Sequence, residues 1–292
     1  MTMKFAYHAT MCNPAFYPAL AKAAEAAGYD TFTLPDSILY PQHADSKYPY
    51  NADGSREFLD GVPFLDPFCA IPWMAAGTTR LKFSTSVMKL AIRNPVLTAK
   101  ALTSIQVMTG NRFIFGVGIS PWREDFEACD VPWEGRGKRM DEMIAILRGL
   151  ETGEYFGFQG EHFRFEPVKL CPVPTQPTRI LVGGHSDAAL KRAARLGDGW
   201  ISAGSSLEQI REMTAKMKAW RKEFGRDHLP FEIQAMGPDA YTPEGIERLA
   251  GSGVSEVLVA FRDAYAGGAD TRTLPGMIAE MNQYAENVIH KV

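Results

Sequence analysis

Arg179-Ile180-Leu181-Val182-Gly183-Gly184-His185-Ser186-Asp187 passes from a β-type run through two glycines to a serine and the first residue of a helical pattern. The glycines let the backbone turn tightly and approach a bulky group, and Ser186 is placed to cap the helix. A helix start offers free N–H groups and the positive end of its dipole. The junction therefore reads either as an anion seat or as an ordinary glycine turn with a serine cap. In both readings it is a strand-turn-helix unit, and the fold depends on whether the chain repeats it.

It repeats from end to end. Strand patterns fall at Lys4–Ala9, Thr31–Leu34, Leu81–Met88, Arg112–Val117, Arg179–Val182, Gly199–Ser202, Phe231–Met236 and Glu256–Val259. Helical patterns lie at Tyr17–Ala27, Pro67–Ala76, Pro95–Thr109, Arg136–Leu150, Asp187–Leu196, Leu207–Phe224, Pro243–Ala250 and Leu274–Ile289. Strict alternation predicts a parallel α/β sheet with right-handed crossovers, and eight units predict a closed (β/α)8 TIM barrel. An open doubly wound sheet is the other architecture this order allows. Gly28, Gly77 and Gly110 each follow a helical run and suit left-handed C-terminal caps. Two stretches exceed an ordinary connection: 37–63 after the second strand, rich in Tyr, Pro, Asp and Gly, and 153–177 between the fourth and fifth. The latter reads as a hairpin, Tyr155-Phe-Gly-Phe then His162-Phe-Arg-Phe. Loops after the strands line the mouth of such a barrel, so 37–63 is a candidate lid, with Tyr40, Tyr48, Tyr50 and Phe58 as pocket walls.

With 292 residues and 46% hydrophobic content, the chain fits a single barrel domain over 1–292. Thirty-one basic against 34 acidic residues, interspersed, leave no nucleic-acid or membrane-surface footprint, so a small organic molecule is the expected partner. Cys12, Cys69, Cys129 and Cys171 are far apart, which argues against zinc and redox motifs; they read as packing residues of a reducing cytoplasm. No long apolar leader or span is present.

The scattered histidines (8, 43, 162, 185, 228 and 290) do not build a metal centre. Gly118-Ile-Ser120-Pro-Trp122 starts like a nucleophile elbow and lacks its second glycine. Gly116-Val-Gly118-Ile-Ser-Pro121 starts like a dinucleotide fingerprint and ends in proline. A Schiff-base lysine would have to be Lys89, beside which nothing suggests a depressed pKa. What remains is a set of strand ends that a barrel brings to one mouth: His8, Asp36, Ser86-Val87, Gly116, Gly118 and the Gly183-Gly184 turn. Glycines closing the fourth strand admit a flat ring or simply relieve crowding. Asp36 handles a proton or caps a loop, and His8 handles a proton or is a hydrogen-bonded strand end. Met88, Phe115, Trp122 and Trp200 supply either an apolar ring environment or core packing. Arg112 opens the fourth strand on the face away from the mouth, a place for tying helices together. Arg139 and Glu142, one turn apart, are spaced to pair.

The chain resembles the luciferase-like monooxygenase superfamily, whose members use flavin or the deazaflavin coenzyme F420 in a (β/α)8 barrel. The resemblance is carried by Phe83–Lys100, Gly110–Gly118, Arg136–Glu142, Ile180–Ser186 and Leu196–Trp200. It implies a bulge with a non-prolyl cis peptide at Ser86-Val87 behind the cofactor ring, and a phosphate or phosphodiester site at Gly183, Gly184, His185 and Ser186. Asp36 falls where relatives hold an acidic residue, but Ser37 replaces the histidine that often follows. Pro121 stands where certain F420-dependent dehydrogenases carry a catalytic Glu; the nearby Glu124 would have to reach back, a solvated helix-start role being plainer. The expectation is an F420-dependent hydride-transfer enzyme with Asp36 and His8 as proton handlers, Tyr40 a weaker option, and a homodimer. An FMN-dependent monooxygenase and a noncatalytic flavin- or deazaflavin-binding protein are the alternatives.

Overall fold

In the computed structural model, which describes all residues except Met1, Thr10, Ala52, Ala264, Ala266 and Gly267, strand Lys4–His8 (β1) pairs with Thr31–Leu34 (β2) in parallel, Ala6 opposite Thr31 and His8 opposite Thr33. The series continues through Lys82–Thr85 (β3), Met88–Lys89 (β4) and Phe113–Gly118 (β5), then Arg179–Gly183 (β8), Gly199–Ser202 (β9), Glu232–Ala235 (β10) and Glu256–Val259 (β11). Between them Phe156–Gln159 (β6) and Arg164–Val168 (β7) form a separate antiparallel hairpin, as the 153–177 stretch predicts. β3 pairs with β5, and β11 pairs back onto β1, so eight strands close into a ring. The barrel is closed and the open sheet is excluded.

The helices are Tyr17–Ala27 (α1), Pro67–Ala75 (α2), Pro95–Thr109 (α3), Arg123–Ala128 (α4), Arg136–Leu150 (α5), Asp187–Leu196 (α6), Leu207–Glu223 (α7), Pro243–Ala250 (α8) and Leu274–Asn287 (α9). Asn94, Ser186, Ser206, Thr242 and Thr273 each accept a backbone N–H at a helix start, which is why the helices begin where they do. Gly28 and Gly110 end α1 and α3 at φ of 94° and 62°. Gly77 does not take a positive φ, because α2 closes at Ala76 through a tighter turn.

Strand alternation sorts the side chains. Tyr7, Phe32, Phe83 and Phe113 point outward into the main core against the helices. Ala6, Ile114, Leu181, Ile201 and Leu258 fill the barrel interior. Registers place Lys4 opposite Glu256 and Arg179 in the row of Ile114, and Arg179 pairs with Glu232, so the closed end of the barrel is charged. Arg112 behaves as expected at that end. It donates to Thr78 Oγ1 and to the carbonyls of Thr109, Leu81, Ala75 and Thr78, binding α2 and α3 to the sheet. At the open end the third barrel strand is split into β3 and β4 by a cis peptide between Ser86 and Val87.

The cysteines depart from expectation. Cys12 is buried, but Cys69, Cys129 and Cys171 are exposed, so three of them are not packing residues. Met88, Phe115 and Trp200 are fully buried in the main core rather than facing the mouth; only Trp122 of that group lines a cavity.

Candidate active site

His8 ends β1 on the same inward row as Lys4 and Ala6, because side chains two residues apart share a strand face. That places its imidazole at the barrel mouth, 7% exposed, lining a cavity of about 700 Å³. Burial pushes its pKa down to about 4, so the ring is neutral at physiological pH. A second, larger cavity of about 1040 Å³ lies alongside. Met11, Pro35, Tyr48, Ser86 and Ala203 line both.

The larger cavity collects most of the predicted cofactor residues: Ser86, Val87, Gly118, Gly183, Gly184, His185 and Ser186. Val87 wedges between the ends of β5 and β8. A Cβ on Gly118 would stand 2.5 Å from Val87 Cγ2, and one on Gly183 would stand 2.7 Å from Val87 Cγ1. Gly184 sits at φ 116°, where only glycine is comfortable, and its carbonyl accepts the Trp200 Nε1 hydrogen at 2.8 Å. Ser186 Oγ caps α6 by accepting from Ala189 N–H. His185 Nε2 accepts from Ala203 N–H at 3.0 Å, which assigns its proton to Nδ1; burial lowers its pKa, and its ring edge meets Tyr50. The turn and its ring are thus held from several sides.

Gly116 is a correction. It is absent from the cavity wall, and a Cβ there would lie 1.8 Å from the Thr85 carbonyl oxygen, so its missing side chain serves barrel packing. Asp36 reaches the cavity with both oxygens already engaged. Oδ2 accepts from Lys89 N–H at 2.8 Å, and Arg93 Nη2 stands 3.3 Å from each oxygen. Burial raises the Asp36 pKa against the pull of Arg93. Arg93 also reaches Asp66, the cap of α2, so Asp36 is built into a brace at the mouth. Tyr40 is 38% exposed, lies beneath Arg56, and lines neither cavity.

Segment 37–63 roofs the mouth, with Tyr48, Tyr50 and Phe58 in the cavity wall. Glu124 is not a solvated helix-start residue. Its Oε1 accepts from Asp45 and Ser46 N–H at 3.1 and 3.3 Å, and its Oε2 pairs with Arg56 at 3.4 Å. Arg56 in turn lies 4.0 Å over the Trp122 ring, on which Tyr48 stacks. Arg139 and Glu142 do not pair. Arg139 donates to the Ala91 carbonyl, while Glu142 accepts the N–H groups of Glu161, His162 and Phe163 at the hairpin tip.

The larger cavity also holds residues that the sequence reading did not assign to the site. Lys89 Nζ pairs with Asp125 at 2.7 Å, both nearly fully buried, and Ser120 Oγ donates to the same carboxylate. Lys47, Arg136, Lys138 and Arg192 bring further positive charge. Arg192 pairs with Asp141 and Lys138 with Glu161, whereas Lys47 and Arg136 have no ion-pair partner among the described residues. Beyond β11, Phe261, Arg262, Asp263 and Tyr265, with residues of α9, close the smaller cavity. The rule that loops after every strand line a barrel mouth would have pointed to them.

The luciferase-like monooxygenase family profile matches residues 4–250. The chain belongs to this family. An uncharacterized protein of Mycobacterium tuberculosis (strain ATCC 25618 / H37Rv) is 50% identical over 290 residues, covering 99% of this chain and 100% of the relative. The FMNH(2)-dependent dimethylsulfone monooxygenase of Pseudomonas fluorescens (strain Pf0-1) is 30% identical over 205 residues, 68% of this chain and 51% of that protein. Among solved structures, the coenzyme F420 dependent tetrahydromethanopterin reductase of Methanopyrus kandleri superposes with a TM-score of 0.75 at 14% identity, covering 99% of both chains, a likeness of fold. Of the proteins that this luciferase-like chain is similar to, one is thus an FMNH(2)-dependent enzyme and another, alike in fold, a coenzyme F420 dependent one. No helix among the described residues is long and apolar enough to cross a membrane.

Proposed function

We propose that this luciferase-like protein is an F420-dependent oxidoreductase exchanging hydride with a small organic substrate. The observation that carries the reading is the larger cavity's basic lining. The Gly183-Gly184 turn and the α6 start form an anion seat, and Lys47 and Arg136 add unpaired positive charge to the same cavity. FMN ends at one phosphate, whereas the F420 tail carries carboxylates beyond its phosphodiester, and this wider basic lining suits the longer tail. The donor set therefore fits the group. When bound, the deazaflavin supplies or accepts a hydride at its ring carbon C5.

The chain's own residues orient and move the proton. Val87 and the split third strand form the wall behind the ring, where Gly118 and Gly183 leave space only for the Val87 side chain. Asp36, braced by Arg93 and the Lys89 amide, holds β4 against that wall. His8 lies in the smaller cavity, which shares Ser86 with the larger, and its neutral imidazole both gives and takes a hydrogen bond. It is the proton handler in this reading, worth roughly 10²- to 10⁴-fold in rate. The reading includes a homodimer, supported by Trp73 on α2 and Leu97, Val107 and Met108 on the adjacent α3, which are 50%, 71%, 46% and 66% exposed.

The test is a titration with F420 and with FMN, reduced and oxidised. Micromolar binding of F420 with no oxygen uptake supports the proposal. Binding of FMN alone, with oxygen consumed on substrate addition, replaces it with the monooxygenase reading. Binding with no cofactor redox change under any substrate leaves a noncatalytic binder.

A further inference from the structure

The smaller cavity differs in chemistry from the larger one it adjoins, and the difference bears on what it holds. Resting on the reading just given, in which the larger cavity takes the cofactor, we propose that the smaller one selects an uncharged, ring-bearing substrate with a hydroxyl or carbonyl at one end, and disfavours phosphorylated or other anionic molecules.

Much of its wall is ring faces whose polar ends are committed elsewhere, with Gln283 and Asn287 of α9 as uncharged polar residues in the same lining. Tyr241 OH donates to the Ala260 carbonyl at 2.7 Å, and Tyr284 OH donates to the Ala240 carbonyl at 2.5 Å. Tyr48 is hydrogen-bonded to Tyr265. With Phe261, Met11 and Met236, these tyrosines present aromatic and apolar surface to an occupant, the kind of wall that recognises a ring by contact and desolvation.

Charge is arranged against an anion. Among the described lining residues Asp263 and Glu280 are carboxylates and Arg262 is the one cation, with its Nη2 donating to the Gly268 carbonyl at 2.6 Å. Glu280 is shared with Arg272, which is drawn mainly to Asp270. A phosphate placed here would meet neither a helix start nor the lysine and arginine lining of the larger cavity. Against the one guanidinium of the described lining, Arg262, which donates to a carbonyl, it would meet the carboxylates of Asp263 and of Glu280, the latter paired with Arg272. Polar groups do converge at the inner end, where His8 and Ser86 lie next to the cofactor cavity. A single neutral oxygen function is what a neutral imidazole and a hydroxyl recognise.

The decisive comparison is between 2-naphthol and 2-naphthyl phosphate, which share one ring body and differ in charge. Calorimetric titrations use the wild-type protein saturated with F420, or with FMN if F420 does not bind, so that only the smaller cavity is open. The expected result is that 2-naphthol binds at least tenfold more tightly. Equal affinities, tighter binding of the phosphate, or no binding of either overturns the proposal. Ala260→Phe, which fills the cavity wall, should weaken 2-naphthol at least tenfold and leave cofactor affinity unchanged; unaltered naphthol binding also overturns it. If this variant does not fold, the wild-type comparison decides alone. Cofactor affinity is measured separately, so a failure of the F420 reading is distinguishable from a failure of this one.

Discussion

Acidification should destabilise the barrel through His8. The unfolded chain titrates this histidine near 6.5, while in the folded protein burial holds it down to about 4. A depressed folded value means that the unfolded state takes up the proton first. The stabilising contribution is therefore complete above pH 6.5 and is lost as pH falls toward 4. Each pH unit between those values is worth about 1.4 kcal/mol, so the full contribution is roughly 3 kcal/mol, of which about 2 kcal/mol disappears between pH 7 and pH 4.5. Other groups titrate in the same window, and Glu25, held low by backbone N–H groups, also weakens the fold in acid. The informative quantity is therefore a difference. Urea unfolding of wild type and His8→Gln at pH 7 and pH 4.5 should show the wild type losing about 2 kcal/mol more than the variant. Equal losses would mean that the folded mouth accepts a charged imidazole, and the argument for a neutral His8 would fail.

Two further outcomes follow from the packing. Gly118→Ala should push Val87 into the larger cavity, costing about 1–3 kcal/mol in denaturant unfolding and weakening cofactor binding; adding Val87→Ala should recover most of the stability, and a cycle without coupling would refute the wedge. The proposed homodimer predicts that the wild type scatters light as a dimer and Trp73→Glu as a monomer with unchanged circular dichroism; a monomeric wild type refutes the homodimer, and a dimeric variant would place its interface elsewhere.

Most strands and helices were legible to within a few residues because strands and helices alternate along the chain and six helices begin at a residue whose side chain caps them. The helix Arg123–Ala128 was not, since six residues with three acids and an arginine show too little periodicity to read. The break in the third strand came from the family resemblance alone. Asp36, Ser86, Val87, Gly118 and the Gly183–Ser186 turn line one cavity because strand ends are local features, and closing the barrel gathers them. For Gly116 the sequence left cofactor approach and crowding relief both open, and only the fold shows the Thr85 carbonyl that decides for crowding. Arg139 and Glu142 failed for a related reason: helical spacing permits a weak pair, but the hairpin's three N–H groups offer Glu142 a better set of donors. The smaller cavity was out of reach because its outer wall comes from the segment after β11 and from α9, whose placement only the folded chain defines.

Glu124 and Trp122 lie just past the fourth barrel strand, yet they fasten residues 45–56 of the segment that follows the second. The roof and its latch thus come from separate parts of the chain. Grafting the roof alone onto a related barrel would leave Arg56 and the Asp45-Ser46 amides without their carboxylate. A graft that keeps this roof in place therefore has to carry both pieces together.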